Sequence, residues 1–295
     1  MKTLFVTCLY SNLFKSEFGG RDSRDGHYKN SLKSLLKISD AKFICYTSTE
    51  QINDLENFFY KQNKFTENQI IFKIFDLKNC EFHKQITEKK NLQQNLLKDR
   101  CYEIQYYKFF WCLENCKDNN FDYVFWIDAG LSHCGLIPPK YLNQTGTYWE
   151  KYFESKLFNN IFLKNLINHA QNKIVICAKE NVRNFWEKTV PKNYYKKFNS
   201  DRHVIGGLFG GKKNILIDFC KLFDINVKNI LNKESFLYLE EHIMSLIYVN
   251  HYEMFNPLFF DIWWHEEDFV SGLNLKELTL KEKSFYKIIE ELNIV

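Results

Sequence analysis

Short, mostly apolar runs separated by amphipathic segments constrain this chain more than any other feature of its sequence. Thr3 to Leu9 read TLFVTCL, residues 41–48 read AKFICYTS and residues 70–77 read IIFKIFDL. A strand exposed on one face alternates apolar and polar residues, whereas a nearly continuous apolar run is what a strand covered on both faces requires. Between the first two runs Leu32, Leu35, Leu36 and Ile38 recur at helical spacing, and Leu55, Phe58 and Phe59 do so before the third. Strand, helix, strand, helix, strand predicts a parallel sheet with helices packed on both faces.

The pattern continues. Residues 80–100 are polar and rich in Lys and Gln, as suits an exposed helix, and CYEIQYYKFFWCLENC (101–116) predicts an amphipathic helix leading into the strand FDYVFWID (121–128). From 150 to 170 the spacing of Phe153, Leu157, Ile161, Phe162, Leu166 and Ile167 predicts another helix. KIVICA (173–178) reads as a strand and HVIGGLFGG (203–211) as a strand with glycine interruptions. Residues 212–225, 234–250 and 275–295 read as helices, the last on the surface. With no internal repeat and no Pro/Gly/Ser-rich linker, one continuous α/β domain is the economical reading.

Composition narrows the function classes. Of 295 residues, 45% are hydrophobic and 17% aromatic, ample for a packed core, which excludes a disordered chain. The formal charge of +4, from 40 Lys and Arg against 36 Asp and Glu, argues against a dedicated nucleic-acid binder. It leaves room for a local basic face toward phosphates or an anionic membrane surface. No apolar run approaches the roughly 20 residues that span a bilayer. The amino terminus, MKTLFVTCLYSN, is interrupted by Thr7 and lacks a small-residue cleavage site, so it reads as a buried first strand and not a signal peptide. Nine scattered cysteines fit reduced, buried thiols of a cytoplasmic protein. A zinc site from Cys112, Cys116 and Cys134 is the alternative, at a spacing that matches no common pattern. The sequon Asn143-Gln144-Thr145 carries no meaning without secretion.

Four segments hold groups that could do chemistry. In FDYVFWIDAGLSHCG (121–135) a buried strand stops at Asp128, followed by the small residues Ala129 and Gly130. Ligands of open parallel sheets bind beyond the carboxyl ends of the strands, where Asp128 falls, although an Asp after a strand also commonly caps a helix or begins a turn. GGLFGG (206–211) lets a backbone come close to a ligand or merely permits a bulge, and its spacing is not a dinucleotide-binding fingerprint. On the helix expected over 235–249, Phe236, Ile243 and Ile247 share a face with Glu240, and Leu237, Met244 and Tyr248 share one with Glu241. A carboxylate in such an apolar helix either faces a wet cleft or pairs with an Arg or Lys. In FFDIWWHEEDF (259–269), His265 stands beside Glu266, Glu267 and Asp268 after two tryptophans, a combination suited to a divalent metal and a stacking surface.

This order of features resembles a GT-A glycosyltransferase: a nucleotide-binding half, an Asp-containing turn after a central strand, a glycine-rich segment, an acidic pair on a helix and a late histidine. More narrowly, TLFVTCLY followed by GGR, YYKFF ahead of FDYVFWIDAGL, and HVIGGLFGG are similar to the HtrL/YibB family of bacterial polysaccharide-associated proteins, over residues 3–268. The resemblance implies a GT-A type, Rossmann-like α/β fold, with a mixed, mainly parallel sheet flanked by helices in a single domain over 1–295. Its nucleotide-binding half would cover about 1–130, its acceptor-binding half about 131–270 and a terminal helix 275–295.

By the same resemblance Asp128 matches the first Asp of an Asp-X-Asp motif holding Mn²⁺ or Mg²⁺ against a diphosphate, while Gly130 replaces the second. His265 would complete the metal ligands. Arg21, Arg24 and Lys108 would face the phosphates, base or donor sugar, and Gly206 and Gly207 would line the pocket where donor and acceptor meet. In an inverting enzyme Glu240 or Glu241, with Glu241 favoured, would be the catalytic base on the acceptor hydroxyl, whereas in a retaining enzyme neither need be a base, and the sequence leaves both stereochemistries open. The implied activity moves a sugar from a nucleotide-sugar donor, a UDP-sugar, to a glycan or lipid-linked glycan acceptor of the cell surface, such as lipopolysaccharide or capsule. It would act in the cytoplasm, with loose attachment to the inner membrane face open to it. Two other readings stand beside it: a sugar nucleotidyltransferase, whose loop after the first strand FGGRDSRDG (18–26) partly fits, and a non-catalytic glycan- or protein-binding module with a structural Asp128 turn.

Overall fold

The computed structural model describes residues 1–13, 16, 18, 25–92, 100–117, 120–130, 158–179, 204–234 and 237–260. Its centre is one seven-stranded sheet made of β1 (Thr3–Cys8), β2 (Ala41–Thr47), β3 (Ile70–Ile74), β4 (Tyr123–Ile127), β5 (Ile174–Lys179), β6 (Val204–Lys212) and β7 (Phe255–Phe260). They lie in the order β3-β2-β1-β4-β6-β5-β7. β6 runs antiparallel to both of its neighbours, and every other pair is parallel. The fold is therefore a mixed, mainly parallel α/β sheet flanked by helices.

Alternation along the strands divides the core into two layers. Leu4, Val6, Ile44, Tyr46, Val124, Trp126, Ile174 and Ile176 point to one face. There they meet α3 (His83–Leu92), α4 (Tyr102–Cys116), α6 (Lys213–Lys233) and α7 (Glu240–Asn250). Phe5, Phe43, Cys45, Tyr123, Phe125, Ile127, Val175 and Cys177 point to the other. That layer is closed by α1 (Asp25–Leu35), α2 (Thr49–Glu56) and α5 (Asn160–Ala170). Burial on both faces is why these strands read as nearly unbroken apolar runs. α5 starts where the Asn159 side chain accepts from the backbone of Ile161 at 2.8 Å and Phe162 at 3.1 Å, a side-chain cap of the free N–H groups of its first turn.

Several details depart from the sequence reading. HVIGGLFGG is the reversed strand among the described residues, so the sheet is mixed and mainly parallel, as the resemblance implies, where the strand-helix alternation by itself points to a parallel sheet. FNPLFF, which the sequence pattern does not mark as an element, is a strand; it sits at the sheet edge, where the missing backbone donor of Pro257 is tolerated. α6 runs past residue 225 to Lys233. α7 begins only at Glu240, with the preceding Leu239 extended, so Leu237 is not on the helical face assigned to it beside Glu241. The parts of the predicted helices over 93–99, 150–157 and 275–295 lie outside the described residues. Eight cysteines are free thiols, and Cys112 and Cys116 are buried. Cys134 lies outside the described residues, among which no group of three or more His, Cys, Asp or Glu is gathered for a metal. No helix among them is long and apolar enough to cross a membrane.

Candidate active site

Asp128 follows the last residue of β4, and its N–H donates to the Gly207 carbonyl at 2.8 Å, extending the β4–β6 ladder by one residue. Side chains two apart on a strand share a face, so Asp128 stands on the Trp126 side, and the Trp126 Nε1–H donates to Asp128 Oδ1 at 2.7 Å. The carboxylate is nevertheless 44% exposed, at the carboxyl end of the parallel strands. Ala129 packs into the second core layer and Gly130 is buried.

Beneath Asp128 lies Lys108, projected from α4 and only 3% exposed. Its Nζ donates to Glu240 Oε1 at 2.7 Å and to the Gly206 carbonyl at 2.9 Å, stands 4.0 Å from Asp128 Oδ1 and lies 5.4 Å from the Trp126 ring centroid. Burial alone would pull the Lys108 pKa down. Glu240, then Asp128 and Glu241, outweigh that effect, and the net shift is upward, so the ammonium stays charged.

Glu240 and Glu241 form the first turn of α7, where unpaired backbone N–H groups favour negative charge. Glu240 is buried against Lys108, while Glu241 is half-buried and its Oε1 accepts from the Gly206 N–H at 3.3 Å. Gly206 is thus gripped at both its N–H and its carbonyl. A Cβ there would fall 2.6 Å from Glu240 Oε1 and 2.9 Å from Lys108 Nζ, so the ion pair fills the space a side chain would need. The pairing of β5 with β6 jumps from Ile176–Phe209 to Cys177–Ile205, which bows β6 across Gly206, Gly207 and Leu208. Ile205 and Leu208, three apart, consequently face the same core layer. α4 also holds the segment before α7 directly, because the Tyr106 hydroxyl donates to the Tyr238 carbonyl.

Six of the residues singled out in the sequence, Lys108, Asp128, Gly206, Gly207, Glu240 and Glu241, therefore come together. Gly130 follows Asp128 in the turn, and Arg21, Arg24 and His265 lie outside the described residues. Sequence reasoning missed Trp126 as the donor that orients Asp128, although a tryptophan two positions before an Asp on one strand is a usable signal. It also missed the Lys108–Glu240 pair, whose members are 132 residues apart.

Among the described residues the site sets one ammonium, Lys108, against three carboxylates, Asp128, Glu240 and Glu241. Taken by themselves these four groups would repel a diphosphate unless a cation intervenes. Asp128 is a hard, exposed oxygen donor, which fits Mg²⁺ or Mn²⁺ bound through one carboxylate, with phosphate and water completing the shell.

Neither a family model nor a curated protein matches the chain. Among solved structures it is similar to mouse xyloside xylosyltransferase 1, at 10% identity and a TM-score of 0.46, over 88% of this chain and 85% of that one. It is also similar to 4-diphosphocytidyl-2C-methyl-D-erythritol synthase from Anaerococcus prevotii, at 12% identity and a TM-score of 0.38, covering 88% and 87%. With the glycosyltransferase GlyE of Streptococcus pneumoniae the values are 11% and 0.39, and the match spans 88% of this chain but 45% of that one. Similarity at this distance carries no argument about activity, so the functional reading rests on the site's own geometry.

Proposed function

We propose that the chain is a nucleotide-sugar-dependent glycosyltransferase of GT-A type, with its donor site at Asp128 and its acceptor side at Glu241. The observation that supports this most is the meeting of Asp128, the Gly206–Gly207 bow and the first turn of α7 at the carboxyl ends of the parallel strands, where α/β folds bind ligands. The narrower HtrL/YibB reading rests on the motifs quoted above.

In this reading Asp128, held by Trp126, would bind the divalent ion, which when present offsets the charge that develops on a diphosphate leaving group. Gly206 and Gly207 would let the donor approach the backbone beside it. Glu240 is neutralised by Lys108, which leaves Glu241 as the carboxylate of the pair placed to take a proton. As the acceptor oxygen forms its bond to the anomeric carbon, the bond from that carbon to the diphosphate oxygen breaks and its electron pair leaves with the diphosphate. Glu241 takes the hydroxyl proton, and the product has inverted configuration. The acceptor would be a glycan or lipid-linked glycan, and the donor a UDP-sugar.

Thermal melting with a panel of nucleoside diphosphates and triphosphates, with Mn²⁺ or with chelator, on wild type and Asp128→Asn tests this. Expected is selective stabilisation by one diphosphate that needs the metal and is lost in the variant, about 2.7 kcal/mol at a hundredfold excess over Kd. Preference for a triphosphate would point instead to a nucleotidyltransferase. Absence of any shift at millimolar nucleotide would sink both enzyme readings.

A further inference from the structure

We infer that Lys108 is a positioning residue: its contacts with Glu240 and Gly206 set where Glu241 stands, and it does not itself bind substrate. The inference rests on the transferase reading for the role of Glu241, and on geometry alone for the coupling between Lys108 and Glu240.

A lysine ammonium has three N–H donors and no acceptor. One goes to Glu240 Oε1 at 2.7 Å and one to the Gly206 carbonyl at 2.9 Å, while Asp128 Oδ1, at 4.0 Å, is held by charge and not by a hydrogen bond. With 3% of the side chain exposed, little of this lysine can meet a phosphate; the exposed end of the cluster is Asp128. Among the described residues, the charged groups that act on Lys108 are Glu240 and Glu241 from α7 and Asp128 after β4, all carboxylates. Its influence passes through one residue, Gly206. Lys108 takes the Gly206 carbonyl and Glu241 takes the Gly206 N–H, so displacing the ammonium loosens both the glycine bow and the carboxylate that leans on it. α4 also anchors Tyr238 through Tyr106, and Lys108 completes that clamp at the first turn of α7. A Cβ at Gly206 would have to displace the ends of Glu240 and Lys108, which ties this glycine to the ion pair.

The test uses the full chain as wild type, Lys108→Met, Glu240→Gln and the double variant. Lys108→Met leaves a buried carboxylate without its counter-ion and should lower Tm by roughly 10 °C. The double variant, a thioether beside a neutral amide, should recover at least half of that loss. Additive losses would overturn the coupling, and should Lys108→Met fail to fold, a folded double variant supports it equally. Calorimetric affinity is then measured for UDP, GDP, ADP, CDP and TDP with Mn²⁺, together with hydrolysis of the corresponding nucleotide-glucose. For the nucleotide that wild type binds, positioning predicts that the double variant keeps Kd and KM within about threefold while kcat falls at least tenfold. A Kd raised tenfold or more would put Lys108 on the nucleotide and overturn the inference, as would an unchanged kcat. If wild type binds no diphosphate, the transferase reading has failed, and the melting cycle alone decides whether Lys108 acts through Glu240.

Discussion

At the residue scale, two glycines of β6 are required for different reasons. Gly206 faces the ends of two side chains, Glu240 and Lys108, whereas Gly210 has φ +146° and a Cβ on it would lie 2.4 Å from the Val124 carbonyl and 2.5 Å from Phe125 Cα. Side-chain ends can shift and backbone cannot. Gly206→Ala should therefore fold with a loss of about 1–3 kcal/mol, because the ends of Glu240 and Lys108 must move aside. Gly210→Ala should cost more, since it adds a disfavoured φ to a backbone clash. Urea unfolding of the two variants checks both, and a Gly206→Ala protein as stable as wild type would contradict the close ion pair.

At the element scale, α4 joins the site to the core. Its Phe109 ring stacks between Phe209 of β6, at 4.7 Å, and Phe223 of α6, at 3.4 Å, one position from Lys108. At its start Glu103, 1% exposed, receives His83 Nδ1 at 3.0 Å and Lys90 at 3.6 Å, and Lys90 donates to the Phe18 carbonyl at 2.7 Å. One helix thus ties the segment after β1, the reversed strand and the first turn of α7 together. Phe109→Ala removes a ring packed on both faces and should lower the unfolding free energy by about 3–5 kcal/mol. Denaturant titration reads this, and a loss below 1 kcal/mol would mean that α4 packs elsewhere.

Across the whole molecule, burial pushes up the pKa of all eight described thiols, Cys80 and Cys116 to about 12, and the others in the same direction. In the unfolded chain they titrate near the ordinary value of about 8.5. Above that pH the unfolded state has lost protons that the folded state keeps, so stability falls as pH rises. The slope is about 1.4 kcal/mol per pH unit for each fully ionised thiol. Lys108 acts in the same direction: its contribution is complete below the unfolded value of about 10.4 and is lost as pH rises from there toward its raised folded value. Urea midpoints under reducing conditions should hold between pH 6 and 8 and fall steeply from about 8.5 to 10. A flat profile over that alkaline range would show that the thiols are not sequestered.

Period and burial alone determined much of this molecule. β1 to β5 were legible because a strand covered on both faces must be apolar throughout, and α4 because its apolar residues recur at helical spacing. Asp128 was conspicuous because a carboxylate ending such a strand must have somewhere wet to go. Strand direction was not legible, since an apolar run reads alike in either sense and the reversal of β6 depends on the path of the chain around it. Nor was the partner of Glu240: one-dimensional spacing brings its helix neighbours together but says nothing about a lysine 132 residues away. Only the packing of α4 and α7 against one bowed strand decided that one glutamate is neutralised in the core and the next is left at the edge of the site.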